Sequence, residues 1–248
     1  MSTIDLLVFG PHPDDIEFFC GGTILRAVEE GLQVVLADLT RGERASRGTP
    51  EIRAREAAAA AAVLGVTRRE NLELPDLGLR ADDPEQVGVT VDIIRRLRPA
   101  MVLAPPPRAR HPDHQAASEL VRRACFVAGV RGHATEHAPH RVAWLGNYVM
   151  RHRVQASFLV DTSGTRTQKR KAIEAYASQF GPFMEKDDRT LIGAEGSIEA
   201  IEARDRYHGA CIGVETAEPL VLPGPLGLPG LSALRALRAP RFFFEERS

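Results

Sequence analysis

Short, continuous apolar runs alternate with amphipathic stretches along the first half of the chain. Residues 4–9 (IDLLVF) form one run, ended by Gly10-Pro11, and residues 33–39 (QVVLADL) form a second. Such runs, bounded by glycine and proline, predict strands buried on both faces. Between them, Gly21-Gly22 open a helical stretch over residues 23–30, and Gly31 closes it. Strand, helix and strand within about 35 residues predict a βαβ unit, which feeds a parallel sheet through a right-handed crossover.

The pattern then repeats. Pro50-Glu51 begin an alanine-rich helix that runs to residue 64, with proline in the favoured first turn and Gly65 as the stop. Residues 72–74 are a short strand candidate before Pro75-Asp76. Residues 89–98 are amphipathic and end before Pro99, residues 101–104 (MVLA) are another short apolar run, and residues 114–127 carry one apolar helical face. Further on, residues 142–150 and 157–160 predict strands, and residues 165–180 and 197–211 predict helices. Residues 222–230 (LPGPLGLPG) exclude a helix or a central strand and predict a loop. No internal repeat or linker divides the chain. The expected architecture is therefore α/β, a single Rossmann-like domain over residues 1–248 with a mostly parallel sheet flanked by helices. Residues 221–248 form a loop and a tail that rests on a neighbouring surface.

Composition narrows the function. Hydrophobic residues make up 44% and charged residues 26% of the 248 positions, which is ordinary for a globular protein and excludes a disordered chain. Lys plus Arg is 32 against 33 for Asp plus Glu, a net charge of -1. That balance removes the electrostatic basis for a dedicated nucleic-acid binder. No apolar run approaches the roughly 20 residues of a membrane helix, so no membrane partner is expected. The start of the chain lacks the basic and apolar segments of a signal peptide. Three scattered cysteines, Cys20, Cys125 and Cys211, have no ligand or disulfide spacing, and a cytoplasmic location is expected.

Two motifs carry the chemistry. Gly10-Pro11-His12-Pro13-Asp14-Asp15-Ile16-Glu17 follows the first strand, and Arg110-His111-Pro112-Asp113-His114 follows the run at residues 101–104. Ligands bind outside the carboxyl ends of strands in open α/β sheets. Two His/Asp clusters at such ends predict one metal site assembled from both loops, since imidazole and carboxylate are zinc ligands. The competing reading is helix capping, by Asp14 or Asp15 in the first motif and by Asp113 in the second.

HPDD with a downstream HPDH resembles the PIG-L/LmbE-type zinc deacetylases of N-acetylglucosamine (GlcNAc) derivatives. Gly21-Gly22-Thr23, Thr40-Arg41-Gly42-Glu43, Arg47-Gly48-Thr49-Pro50-Glu51, Leu74-Pro75-Asp76, Pro139-His140-Arg141 and Ala175-Tyr176-Ala177-Ser178-Gln179-Phe180 extend the likeness. It looks most like the bacillithiol-pathway branch, whose substrate is N-acetylglucosaminyl L-malate. The resemblance implies His12, Asp15 and His114 as ligands of Zn2+, with Fe2+ or another divalent ion as alternatives. It implies Asp14 as general base, Asp113 and His111 as a charge-coupled pair beside the metal, and Arg141 as a cation facing the oxyanion. Arg53, Glu43 and Arg110 are implied to meet the substrate, Arg53 gripping the malate carboxylate. The likeness departs at Ser197, where relatives carry tyrosine, and at Phe18-Phe19-Cys20, which are bulkier than expected.

The implied activity is hydrolysis of an acetamide to acetate and a free amine, on a small-molecule GlcNAc conjugate. Alternatives are the same chemistry on chitobiose, a mycothiol-type conjugate or an antibiotic precursor, and, outside enzymes, an α/β ligand-binding module. The latter predicts a glycine-rich phosphate loop after the first strand, and GPHPDD has none. A homo-oligomer is expected, with Phe242-Phe243-Phe244 a candidate interface.

Overall fold

Leu6 and Val8 point to one face of the first strand and Leu7 and Phe9 to the other, and all four are buried. A strand covered on both sides needs a layer of helices on each, and the computed structural model has that arrangement. It describes residues 4–66, 68–151, 154–180 and 197–237. Strands β1 (Leu6–Gly10), β2 (Val34–Thr40), β3 (Arg68–Leu74), β4 (Met101–Ala104), β5 (Trp144–Tyr148), β6 (Phe158–Asp161) and β7 (Ala217–Val221) form one sheet in the order β3-β2-β1-β4-β5-β7-β6. β1 pairs in parallel with both β2 and β4, as do β2 with β3 and β4 with β5, whereas β7 runs antiparallel to β5 and β6.

Helices α1 (Asp15–Glu29), α2 (Pro50–Leu64), α3 (Pro84–Leu97), α4 (Pro112–Ala128), α5 (Arg166–Glu174), α6 (Ala177–Phe180) and α7 (Ser197–Ile212) cover the sheet. Leu6, Val8, Ile16, Ile24, Leu64 and Ile173 belong to one core; Leu7, Phe9, Val91, Ile94, Leu120 and Val121 belong to the other. The parallel, mostly two-sided sheet is the expected class. α2 has the expected bounds, with the Thr49 side chain accepting from Ile52 N and Gly65 left-handed at φ 74. Residues 222–230 form no helix or strand. The tail beyond residue 237 lies outside the described residues.

Three elements differ from the sequence pattern. α1 starts at Asp15, well before Gly21, and is kinked at Cys20 (φ -139, ψ 20). The kink creates a second helix start inside the element, and a side chain from the far end of the chain caps it. Glu218 on β7 accepts from Gly22 N at 2.9 Å and from Thr23 N at 2.7 Å. A side chain at Gly22 would place its Cβ 2.9 Å from Glu218 Oε1, which explains the glycine there. The single helix expected over residues 165–180 is broken into α5 and α6. β7 has no counterpart in the sequence reading, because Pro219 argues against an interior strand. Its ladder with β5 covers only Leu220 and Val221, so the missing N–H of Pro219 faces β5 beyond the end of that ladder.

Candidate active site

Strand order reverses between β1 and β4, since β1 leads on to β2 on one side and β4 to β5 on the other. A crevice opens at such a point, outside the carboxyl ends of the strands. Both His/Asp motifs lie there. After β1 the turn is pinned to β2, because Thr40 donates to Pro11 O through both its N–H (3.1 Å) and its hydroxyl (2.9 Å). Asp14 takes a positive φ of 115, a conformation uncommon outside glycine that marks stored backbone strain.

His12, Asp15 and His114 bring three ligand atoms within 4.8 Å of one another. Asp15 Oδ2 is 3.3 Å from His12 Nδ1 and 3.3 Å from His114 Nε2. Asp15 Oδ1 is buried without a hydrogen-bond partner. An orphaned carboxylate oxygen beside two imidazoles is the donor set of a divalent cation, and these residues fit one. Charge is arranged to suit. Burial opposes ionisation of Asp15, but His114 and His12 hold its pKa far below the carboxylate range. Burial likewise opposes a charged His12, yet Asp113, Asp15 and Asp76 raise its pKa well above the usual value.

Asp14 is buried beside this group. Burial first, and the charge of Asp15 with it, push its carboxyl up to about 7, while Arg53 works in the opposite direction. Arg53 Nη2 donates to Asp14 Oδ2 at 3.0 Å and also to Pro13 O. The guanidinium is buried, on the first turn of α2, so its charge is committed to Asp14. Arg53 also lines the cavity, where it was expected to meet the substrate, and its Nε has no hydrogen-bond partner.

His111 caps α4, its Nδ1 accepting from Asp113 N at 3.2 Å. Proline at the next position holds His111 extended, which turns the ring back over the helix start. The Asp113 carboxylate goes elsewhere, to Leu77 N at 2.7 Å, Leu79 N at 3.4 Å and His12 Nε2 at 3.3 Å. Asp113 and His111, expected as a charge-coupled pair, meet through the Asp113 N–H rather than through the carboxylate, and the Asp113 charge works on the ring against burial. Burial, with the neighbouring His12 and His114, lowers the His111 pKa. Helix capping by the acids fails. Asp14 makes no side-chain cap, and on α4 the cap is His111 rather than Asp113.

Of the remaining expected residues, Arg110 lines the cavity. Glu43 instead braces a loop, accepting from Asp76 N at 2.8 Å. Arg141 is not brought to the site. α4 is 17 residues long, about 25 Å at 1.5 Å per residue. Its C-terminal end meets Arg141, which lies exposed beside Gly129 just before β5.

The sequence reading quoted Leu74-Pro75-Asp76 without giving Asp76 a role. Asp76 Oδ1 lies 3.1 Å from His12 Nε2, and Oδ2 accepts from Arg44 N at 2.8 Å. Burial opposes its charge, but His12 and the Arg44 N–H hold its pKa at about 2. Its signal was available: it follows β3, a third parallel strand, at the carboxyl end. Phe19, Met150, Arg151 and Gln179 also line the cavity, which is open and of about 600 Å³. That is within the range of small-molecule sites.

Residues 7–125 match the PIG-L family, described as GlcNAc-PI de-N-acetylase. Diacetylchitobiose deacetylase of Thermococcus kodakarensis is 30% identical over 193 residues, which is 71% of this chain and 70% of that protein. A probable N-acetyl-alpha-D-glucosaminyl L-malate deacetylase 2 of Bacillus cereus is 32% identical over 131 residues, 48% of this chain and 60% of its own length. Among solved structures, the conserved protein TT1542 of Thermus thermophilus superposes with a TM-score of 0.83 at 45% identity, covering 92% of this chain and 98% of that one. The chain belongs to the PIG-L family.

Proposed function

We propose that the protein is a zinc-dependent N-deacetylase that hydrolyses the acetamide of a GlcNAc conjugate, with N-acetylglucosaminyl L-malate of bacillithiol biosynthesis as substrate. The observation that carries this reading is the convergence of His12, Asp15 and His114 at a 600 Å³ cavity beside the Arg53-held carboxylate of Asp14. Arg44, Arg110 and Arg151 on the cavity wall favour an aglycone bearing carboxylates.

His12, Asp15 and His114 would hold the ion, which when bound supplies Lewis acidity to the acetamide carbonyl and acidity to a water. Asp14 lies on the cavity wall, fixed by Arg53, and takes up the proton of the attacking water. The same carboxyl returns it to the amine that leaves. His111, with Nδ1 occupied as an acceptor, keeps its proton on Nε2 and offers a neutral N–H to the developing oxyanion. Asp76 and Asp113 orient His12 through its second nitrogen. The remaining wall residues exclude water and orient the sugar.

The same proposal takes the reaction to be cytoplasmic, a reading supported by the free thiols of Cys20, Cys125 and Cys211, and takes the protein to work as a homo-oligomer. Among the described residues, no helix is long and apolar enough to cross a membrane. The test is bound-metal content together with acetate release from N-acetylglucosaminyl malate, diacetylchitobiose and GlcNAc. About one equivalent of zinc, chelator-sensitive turnover and preference for the malate conjugate are expected. Preference for diacetylchitobiose would move the substrate towards that of the Thermococcus relative. Absence of both metal and acetate release would refute a deacetylase.

A further inference from the structure

Each imidazole of a metal site has two nitrogens. The one turned from the ion ordinarily donates to a carboxylate or carbonyl, which fixes the tautomer and raises the basicity of the ligand. His12 follows that rule. Its Nδ1 faces Asp15, and its Nε2 lies 3.1 Å from Asp76 Oδ1 and 3.3 Å from Asp113 Oδ2. His114 departs from it. Its Nε2 faces Asp15 Oδ2 at 3.3 Å, and its Nδ1 faces the thioether sulfur of Met150 at 3.1 Å.

A thioether accepts weakly and donates nothing. Contact at that distance therefore needs the proton on Nδ1, which leaves the lone pair on Nε2, the nitrogen beside Asp15. The sulfur is itself held in place. Met150 is buried, just past the end of β5, and Arg204 on α7 donates to Val149 O at 2.5 Å and approaches Met150 O at 3.4 Å. Arg204 is anchored on Asp205 at 2.7 Å, and Asp205 on Lys169 at 2.6 Å. A gap filled only for volume would need neither the aligned sulfur nor the clamped backbone.

Resting on the metal reading above, we propose that Met150 is a positioning residue for His114. Its sulfur fixes the Nδ1–H tautomer while adding no negative charge behind the ring. The two imidazoles are then unequal by construction, with His12 backed by two carboxylates and His114 by a thioether. His114 is the weaker donor, and the charge of the ion is less offset on its side.

The test measures zinc affinity by competition with a chromophoric chelator, for the full chain and for Met150→Leu and Met150→Gln. The resonance of the His114 Nδ1 proton is followed in the zinc-loaded proteins. Met150→Leu keeps the volume and removes the acceptor, so zinc affinity falls about 10-fold and the Nδ1 proton shifts. Met150→Gln offers a carbonyl oxygen, moves that proton downfield and binds zinc at least as tightly as the wild type. Equal affinity and an unmoved proton in Met150→Leu would reduce the sulfur to packing and overturn the role. Equal losses in both variants would overturn it too, because the acceptor would then not matter. A wild-type protein that takes up no zinc would overturn the metal reading and this role together.

Discussion

In the proposed reaction Arg53 serves proton transfer through Asp14, and Arg110 serves recognition. Arg53 is bound to Asp14 and Pro13 O, so Arg53→Lys keeps the charge but loses the fixed guanidinium geometry. Turnover is expected to fall roughly 10²-fold, by the same factor on N-acetylglucosaminyl malate and on GlcNAc. Arg110→Ala should instead raise KM for the malate conjugate and leave GlcNAc unchanged; the reverse pattern would return the grip on malate to Arg53. A second pair, in the same proposal, would divide metal binding from proton transfer. Asp15→Ala should lose bound metal, while Asp14→Ala should retain it and lose most turnover, as metal analysis beside an acetate assay would show. The residue types of HPDD and HPDH and their places after two strands were enough to expect one site from both loops; the choice of His12, Asp14, Asp15 and His114 came from the family resemblance. The hydrogen-bond assignments were not legible, because they depend on which way a side chain turns. Asp113 turns to Leu77 and Leu79, His111 to its own helix, and Met150 reaches His114 from a segment with no motif.

At the level of elements, α1 is held by a buried ionic chain that begins where its helix is broken. Glu218 caps the second start, and Lys169 Nζ bridges Glu218 Oε1 and Asp205 Oδ2 at 2.6 Å each. Lys169→Ala would leave buried Glu218 without its counter-ion and Asp205 with Arg204 alone, and a loss of about 3–5 kcal/mol is expected in urea unfolding. Asp205 contributes to the acid limb of stability. Burial opposes its charge, but Lys169 and Arg204 lower its pKa below the ordinary carboxylate value. Its contribution is therefore present above the unfolded pKa of about 3.9 and is lost as pH falls through the lower folded value. The stability gap between wild type and Asp205→Asn should be constant near neutrality and close below about pH 4. A gap unchanged at pH 3 would mean that the pair does not set the acid limb. The glycine pair at the kink did signal a helix start, but the acceptor that completes it lies 196 residues away, beyond any local pattern. Similarly, β7 was hidden by Pro219, whose tolerance depends on where a neighbouring strand stops.

For the molecule as a whole, apolar side chains left in solvent bear on assembly. Leu231 is 84% and Phe126 76% exposed, and Trp144 is half-exposed. Light scattering should give a multiple of 27.1 kDa, and Leu231→Asp should shift the population towards the monomer if the arm at residues 222–237 takes part. A wild-type mass of one chain would exclude the oligomer. The layered fold itself was legible because burial on two faces leaves a continuous apolar run, and glycine and proline mark its ends. Arg141 was misplaced because a motif carries no information about which edge of the sheet it reaches. The side chains that would hold an ion or move a proton, His12, Asp14, Asp15, Arg53, Asp76 and His114, all lie between β1 and α4, the stretch that matches the family. The later half adds the Met150 sulfur behind His114, and Arg151 and Gln179 on the wall. Exchange of Arg151 or Gln179 would therefore alter which molecule is accepted, while what is done to that molecule passes on unaltered so long as Met150 stays.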